Sequence, residues 1–561
     1  MKILGIGGTQ HDYSYCVVED GVIRVAIEEE RVSREKHSTG YRSRKHAGLN
    51  YCLNASGDDP LRYKDFDLIV ANDAIDENHF IDSHVINHML KINHHTSHAG
   101  SAYYLSDFSE AAVLILDGGG SNFSGNFNES CTMGYAQGNK IDLTEKIVGK
   151  LKMMDSPRVF FTEEPHTDLF LSNEASIPLL YLAMTEICGF KALQEGKLMG
   201  LAPYGKDTYV KEIQKYVFLD CKKAGSFKLN IDFEGIFNTV IDISKTDKRD
   251  GFTVTKDLAY ATQVIFEDVV TNMINYLYEK APSKNLCYAG GAALNSVLNG
   301  KIKKVSKFEN VFVFPAAGDA GTSIGSALYG YHHIMNAEKN NGRLHHVNWG
   351  KVYDDEEIQK SIEKHKDKIV AQTMDYEKLY DFVAMELSKG SIAGWFQDGA
   401  EFGPRALGNR SILADPRVAE NKDKLNDKVK FREAFRPFAP VIVREECEEY
   451  FDTDFKDNPF MLFVGDVKEN KRGVIPAGTH VDGTARLQTI DVDNNKKLHN
   501  LLLAFKKITG VPVLINTSFN IKGDPIVETP AQAIDALLKS DMDLIVIQHY
   551  VIQKKPNGGI S

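Results

Sequence analysis

Several features are scarce in this chain of 561 residues, and each scarcity excludes a class of protein. Its seven cysteines lie far apart without a CxxC pair, which argues against a disulfide framework and a zinc ribbon. No window approaches the ~20 apolar residues that a membrane helix needs, and the first residues show no signal-peptide core. The net charge of −11 disfavours a surface that coats nucleic acid. The sequence therefore predicts a cytoplasmic enzyme with reduced cysteines and neither a membrane nor a nucleic-acid partner.

The bulk composition is that of an ordinary globular protein, with 43% hydrophobic and 25% charged residues. The chain is too long for a single core, so we expect two or three globular units. Short strands alternate with helical stretches such as 258–279, which predicts an α/β architecture. A polar and charged stretch begins at Asn340, and we predict a domain boundary near residue 350, with domains at 1–350 and 351–561.

The segment 93–99, Asn-His-His-Thr-Ser-His-Ala, predicts one candidate metal site. In a helix, His94 and His98 lie one turn apart on the same face. A buried strand ends at Asp117, and Asp319 follows a later apolar run, each next to glycine. Two imidazoles and two carboxylates form a ligand set that zinc or ferrous iron accepts. For an isolated histidine pair, the alternative is that both side chains only pack the helix.

Four strand-like runs end in glycine turns, at 2–8, 113–120, 286–291 and 311–321. In α/β sheets such turns bind phosphates through free backbone amides. Each turn alone could serve only to reverse the chain. Together they predict a nucleotide cleft in the front half.

The back half carries basic residues flanked by aromatic residues and prolines, as in the segment 430–440. Such flanks imply partial burial, and a buried guanidinium requires an anion. A phosphate is the expected guest, although internal ion pairs to Asp398, Glu401 or Glu433 are the alternative for any one arginine. The predicted anion-binding residues are Arg405, Arg410, Lys430, Arg436 and Arg486, with Asn516, Ser518 and Asn520 as neutral donors at a strand end.

The motifs at 94–99, 116–120, 195–205, 399–415 and 516–520 together resemble the O-carbamoyltransferases of the NodU/CmcH type. The resemblance covers essentially the whole chain in the right order. It implies an actin-like, hexokinase-like (ASKHA) first domain and a YrdC-like second domain. It also implies two steps. Carbamoyl phosphate and ATP first give carbamoyl-adenylate and pyrophosphate, and the carbamoyl group then passes to a hydroxyl with release of AMP.

The same resemblance implies roles for individual residues. His94, His98, Asp117 and Asp319 would bind a metal, most often ferrous iron in the family, and Mg²⁺ would accompany ATP. His11 would be a catalytic group near the acceptor, and Lys36 would reach the carbamoyl phosphate from the first domain, alongside Arg405, Lys430, Arg436, Arg486 and Ser518. The nucleotide cleft of the first domain would include Gly118, Gly119, Lys197, Gly290, Gly291 and Asn295.

Two other functions stay open at this point. The first is an actin-like sugar kinase with Asp117 as base, and the second is a nucleotide-binding regulator without activity. We expect the acceptor to be a small hydroxylated molecule, such as a secondary metabolite, an antibiotic precursor or a saccharide, with a pocket framed by residues 155–195. The sequence leaves the acceptor, the metal and the oligomeric state open, and a homodimer is one candidate.

Overall fold

The computed structural model describes residues 1–39, 46–55, 59–76, 83–155, 169–220, 227–281 and 283–555. Part of the segment 155–195, expected to frame the acceptor pocket, and Cys221 lie outside the described residues. The other six cysteines are buried and free, as expected of reduced thiols.

The strands are β1 Lys2–Gly7, β2 Ser14–Glu19, β3 Val22–Glu28, β4 Leu68–Asn72, β5 Met89–Ile92, β6 Glu110–Leu116, β7 Asn122–Phe123, β8 Phe127–Gln137, β9 Lys140–Asp155, β10 Leu169–Asn173, β11 Val217–Asp220, β12 Lys228–Ile231, β13 Asn285–Ala289, β14 Asn310–Val313, β15 Ile369–Thr373, β16 Ala393–Phe396, β17 Arg410–Ala414, β18 Ala439–Val443, β19 Phe451–Asp452, β20 Val464–Val467, β21 Thr484–Arg486, β22 Gln488–Ile490, β23 Val513–Ser518, β24 Leu544–Ile547 and β25 Tyr550–Lys554.

The α-helices are α1 Glu29–Ser33, α2 Ala47–Ala55, α3 Ser83–His88, α4 His94–Leu105, α5 Ile177–Ile187, α6 Glu195–Leu201, α7 Val210–Gln214, α8 Phe233–Thr246, α9 Gly251–Lys280, α10 Ser296–Asn299, α11 Ile302–Val305, α12 Thr322–Tyr329, α13 Asp355–Lys364, α14 Tyr376–Ser388, α15 Glu420–Leu425, α16 Cys447–Tyr450, α17 Glu469–Arg472, α18 Val492–Thr509 and α19 Pro530–Leu538.

The described chain forms two compact units. The first unit consists of the described residues within 1–10, 66–78 and 82–343. The second consists of those within 11–65, 79–81 and 344–561. The predicted boundary near residue 350 stays a prediction.

The first unit contains parallel strands β1, β4 and β5 and a larger mixed sheet. The order of the larger sheet is β10-β9-β8-β6-β13-β14, with antiparallel neighbours up to β6 and parallel neighbours beyond it. Helices α4 and α12 approach closely, because a Cβ on Gly325 would lie 1.7 Å from the carbonyl oxygen of Ser97. This contact brings the start of α4 near the residues that precede α12.

The second unit contains the β2–β3 hairpin and an eight-stranded sheet of order β15-β25-β24-β16-β17-β23-β18-β22. Neighbouring residues of one strand face opposite sides of a sheet. Ile412 accordingly packs with α13 and α19 on one face, while Leu413 packs with α14 and α18 on the other. A central sheet thus lies between two helical layers.

The main expectations for the fold are confirmed. Both units are α/β, and the order of the larger sheet agrees with an actin-like first domain. Helix α4 begins at His94, and α9 contains the predicted stretch 258–279. Within the described ranges, we find no helix that combines the length and the apolar character needed to cross a bilayer.

Candidate metal centre and anion site

The start of α4 carries two of the predicted metal ligands. Asn93 caps the helix, since its side chain accepts a hydrogen bond from the backbone N–H of Thr96. His94 and His98 lie one turn apart and are fully buried. Their Nε2 atoms are 3.1 Å apart, so the two imidazoles converge.

Two carboxylates meet these imidazoles from other elements. Asp117 follows β6, and Asp319 lies between β14 and α12. An oxygen of Asp117 lies 3.3 Å from Nε2 of His94, and an oxygen of Asp319 lies 3.6 Å from it. The corresponding distances to Nε2 of His98 are 3.7 Å and 3.6 Å.

The second oxygen of each carboxylate is held by the protein. The backbone N–H of Gly291 donates to Oδ1 of Asp117 at 2.8 Å, and the hydroxyl of Thr9 donates to Oδ2 of Asp319 at 2.6 Å. The opposite oxygens therefore face the imidazoles. Such outer hydrogen bonds are typical of carboxylates that bind metals.

Burial and proximity strongly shift the protonation of this cluster. Burial disfavours a charge on His94, yet its contacts with Asp117 and Asp319 raise the pKa of His94 to about 10. Burial and the charge of Asp319 oppose ionisation of Asp117, but the two imidazoles hold the pKa of Asp117 below its usual range. The ionised carboxylate of Asp117 therefore favours a positive charge beside it.

This donor set fits a divalent cation. The four ligand atoms lie within 4.8 Å of one another and are buried. Two imidazole nitrogens and two carboxylate oxygens suit zinc or ferrous iron. His95, on the same helix, is not among the residues whose ligand atoms converge, and its Nδ1 lies 2.7 Å from the hydroxyl of Thr132.

The predicted nucleotide-cleft residues divide into two groups. Gly118 and Gly119 follow Asp117 directly, and Gly290 and Gly291 approach the same strand end, so these glycines border the cluster. Asn295 instead caps α10 and exchanges hydrogen bonds with Gln263. The ammonium of Lys197 lies over the ring of Phe190 at 5.5 Å from its centre.

The second unit gathers four guanidinium groups whose charges repel one another. Burial, followed by the charge of Arg436, lowers the pKa of Arg405 to about 10. Burial, followed by Arg405, Arg432 and Arg436, lowers the pKa of Arg486 well below its usual value. Glu433 offsets part of this charge, at 3.7 Å from Arg436. A bound anion would relieve the remaining repulsion.

Arg432 is a member of this group that the sequence reasoning missed. Burial, followed by Arg436, lowers the pKa of Arg432 to about 9. Its guanidinium lies over the ring of Phe438 at 4.3 Å and donates to the side chain of Asn426 at 2.8 Å. Its position between Phe431 and Glu433, inside a segment already singled out, was the signal available in the sequence.

Lys430 lies beside the end of β23. Its ammonium donates to the hydroxyl of Ser518 at 3.2 Å and to the side-chain oxygen of Asn520 at 2.7 Å. Burial, followed by Arg432, Arg436 and Lys36, lowers the pKa of Lys430 well below its usual value. The charge of Lys36 therefore acts on Lys430, and Lys36 belongs to the second unit, not to the first as the resemblance implied.

Arg410 and Asn516 differ from the other predicted anion-binding residues. Arg410 is fully buried, stacks on Phe396 at 3.5 Å and donates to the carbonyl oxygen of Gln397 at 2.6 Å. Asn516 donates to the side chain of Gln488 at 2.8 Å and to the carbonyl oxygen of Ala406. Both residues hold neighbouring backbone and side chains in place.

Comparisons with known proteins find similarity over most of the chain. Two family models match it, Carbamoyltransferase N-terminus over residues 2–88 and 74–328 and Carbamoyltransferase C-terminus over residues 384–554. Nodulation protein NolNO of Sinorhizobium fredii is 34% identical over 97% of this chain and 79% of its own length.

Two further proteins match a smaller share of this chain. The 3'-hydroxymethylcephem-O-carbamoyltransferase of Amycolatopsis lactamdurans is 34% identical over 47% of this chain and 48% of its own length. Among solved structures, full-length HypF in its phosphate- and nucleotide-bound form has a TM-score of 0.40 at 14% identity. That match covers 60% of this chain and 56% of the HypF chain.

Proposed function

This chain belongs to the carbamoyltransferase family and is a carbamoyltransferase, and we propose that it is an ATP-dependent O-carbamoyltransferase that works through carbamoyl-adenylate. The observation that carries this proposal is the group of mutually repelling guanidiniums in the second unit. Carbamoyl phosphate and ATP are both polyanions, and bringing them together requires several fixed cations.

In the first step, the second unit activates the carbamoyl group. Carbamoyl phosphate, ATP and water give carbamoyl-adenylate, pyrophosphate and inorganic phosphate, so three products report the reaction. Arg405, Arg432, Arg436 and Arg486 would bind the phosphates, and Lys430 with Ser518 would bind at the end of β23. Burial first, and the neighbouring guanidiniums second, lower the pKa values of Arg405, Arg432 and Arg486, and a bound anion would oppose both effects.

In the second step, the carbamoyl group passes from the adenylate to a hydroxyl and AMP leaves. His94, His98, Asp117 and Asp319 would hold a divalent cation, which supplies Lewis-acid stabilisation of phosphate charge. Gly291 and Thr9 orient the two carboxylates through the bonds described above. His11 would accept the proton of the acceptor hydroxyl, as an imidazole can near neutral pH.

The acceptor that we propose is a small hydroxylated metabolite. Support comes from the relatives' names, which include a carbamoyltransferase of a hydroxymethylcephem and a nodulation protein.

The test is incubation of the protein with carbamoyl phosphate, ATP, Mg²⁺ and a panel of alcohols. We expect AMP, pyrophosphate and phosphate, and an acceptor that gains the mass of one carbamoyl group. Formation of ADP with a phosphorylated alcohol would contradict the proposal and indicate a kinase.

A further inference from the structure

One carboxylate of the second unit holds two imidazoles at once. Oδ2 of Asp12 lies 3.0 Å from Nδ1 of His11, and Oδ1 of Asp12 lies 2.8 Å from Nδ1 of His37. Both Asp12 and His37 have a φ of 55°, a left-handed conformation that is uncommon without glycine. Backbone conformations of this kind persist where the surroundings enforce them and are concentrated at functional sites.

We propose that Asp12 is a positioning residue that sets the tautomer of His11 and, through His37, fixes the loop that carries Lys36. The inference rests on the proposed function, because it takes His11 as the base of the transfer step. A carboxylate can only accept a hydrogen bond from a neutral imidazole, so Nδ1 of His11 carries the proton. Nε2 is then the basic nitrogen.

The tautomer determines how the proton moves during transfer. The hydroxyl oxygen of the acceptor forms a bond to the carbamoyl carbon, and the bond from that carbon to the adenylate oxygen breaks. AMP leaves with the electron pair, and the hydroxyl proton passes to Nε2 of His11. Asp12 then stabilises the resulting imidazolium, as carboxylates do behind catalytic histidines.

The loop of Lys36 is tied at three points. His37 donates from Nδ1 to Asp12, and its backbone N–H donates to Oε2 of Glu30 at 3.1 Å. The backbone N–H of Tyr13 donates to the carbonyl oxygen of Ser38 at 3.1 Å. Lys36 directly precedes His37, which makes two of these ties, and its charge acts on Lys430.

The charges around Asp12 agree with this role. Burial raises the pKa of Asp12, but the hydrogen bonds and charges of His11 and His37 outweigh burial and lower it to about 2. Burial lowers the pKa of His37, whereas Asp12 and then Glu30 raise it, and the net shift is upward. Asp12 is therefore ionised throughout the neutral range and can accept from both imidazoles.

A bound cation is the competing explanation. Ligand atoms of Asp12, Glu30 and His37 lie within 4.8 Å of one another, which is close enough for a metal. The two arrangements exclude each other at His37, because an Nδ1 that binds a metal carries no proton. Proton and metal measurements on the same protein therefore decide between them.

The primary test is ¹⁵N NMR of the full chain with labelled histidine, with the signals of His11 identified by their loss in H11Q. We expect two-bond couplings that place the proton of neutral His11 on Nδ1 in the wild type. The D12N protein should shift His11 towards the Nε2-protonated form and lower the titration midpoint of His37. D65N is the matched control, since Asp65 is a carboxylate of the same unit that binds the backbone N–H of Arg62 instead of an imidazole. It should change neither signal.

Two results would overturn the inference. One is a wild-type His11 with its proton on Nε2. The other is Zn²⁺ that binds the D117N protein in equilibrium dialysis but does not bind the D12N/D117N double variant. Release of pyrophosphate by the wild type is measured separately, so failure of this inference is distinguishable from failure of the proposed function. H37N, which removes the bond from Nδ1 of His37 to Asp12 but not the two backbone ties of the loop, should raise the KM for carbamoyl phosphate and leave the tautomer of His11 unchanged.

Discussion

At the scale of single residues, the histidines of α4 show how position decides chemistry. His94 and His98 meet two carboxylates, whereas His95 meets the hydroxyl of Thr132. We predict that D117N loses metal affinity by at least tenfold, since changes to mere supporting groups already cost about 10–100-fold. The metal content of purified proteins after dialysis against Zn²⁺ or Fe²⁺ checks this.

The matched control for that prediction is H95Q. It replaces a buried imidazole of the same helix that supplies none of the four proposed ligand atoms, so its metal content should equal that of the wild type. A D117N protein that binds metal as tightly as the wild type would contradict the assignment of Asp117.

Arg432 provides a second prediction at this scale. The R432A substitution removes a guanidinium that repels Arg436. We propose that the same guanidinium binds substrate phosphate. A hydrogen bond to a charged group contributes about 1.5–3 kcal/mol, so the KM for carbamoyl phosphate or ATP should rise ~10–150-fold. Steady-state kinetics of pyrophosphate release measure it.

R417A is the control for Arg432. Arg417 is an arginine of the same unit that is already paired with Asp415 at 2.7 Å. We expect it to keep the KM values of the wild type. Equal KM values for R432A and the wild type would remove Arg432 from the anion site.

At the scale of elements, the turn after β13 holds Asp117 in place. Gly290 has a φ of 92°, and a Cβ there would lie 2.2 Å from the carbonyl oxygen of Leu116. G290A should therefore displace the end of β6, lower the melting temperature and reduce metal binding. G138A is the matched control, because Gly138 also has a positive φ but has nothing within 4 Å of a Cβ. Equal melting temperatures of the two variants would contradict this account.

The junction of α1 and α2 gives a prediction about pH. Glu29 is buried and accepts the backbone N–H groups of Ala47 and Gly48. Burial, only partly offset by these bonds, raises the pKa of Glu29 to about 7. Folding therefore favours the protonated carboxyl, and its stabilisation is complete below about pH 4.5 and is lost as the pH rises through 7.

The measurement for Glu29 is the free energy of unfolding of wild type and E29Q between pH 4.5 and 7. Relative to E29Q, the wild type should lose stability with rising pH, by at most about 1.4 kcal/mol per pH unit. E19Q, at a half-buried position on the β2–β3 hairpin where Glu19 pairs with Arg24 at 3.1 Å, should follow the wild type. Parallel curves for wild type and E29Q would contradict the raised pKa.

The sequence predicted those parts of the site that follow from local patterns. Helical spacing put His94 and His98 on one face, and the ends of apolar strands located Asp117 and Asp319. It could not separate Arg410 from Arg405, because both lie in the same glycine- and arginine-bearing segment, 399–415, and no local pattern marks the partner of either side chain. Only the folded chain reveals that Arg410 stacks on Phe396 and donates to backbone carbonyl oxygens.

At the scale of the whole molecule, long-range contacts limited what the sequence could predict. Residues 11–65 belong to the same compact unit as residues 344–561, although more than 270 residues separate the two segments. Arg34 donates to the carbonyl oxygens of Pro525 and Ile526 at 2.7 Å within this unit. No local sequence pattern predicts such contacts, because they depend on which distant segments of the chain pack together.

The two-unit organisation predicts that the two half-reactions can be separated by mutation. Changes in the anion site of the second unit should abolish carbamoyl-adenylate formation. Changes in the metal cluster of the first unit should leave that step intact and abolish transfer. No acceptor is needed to observe the first step.

The most direct test is pyrophosphate release from carbamoyl phosphate, ATP and Mg²⁺ by wild type, R486A and D117N. We predict that wild type and D117N release pyrophosphate together with phosphate, with carbamoyl-adenylate detected by mass spectrometry, and that R486A releases none. Undiminished pyrophosphate release by R486A, or ADP as the nucleotide product of the wild type, would contradict the account.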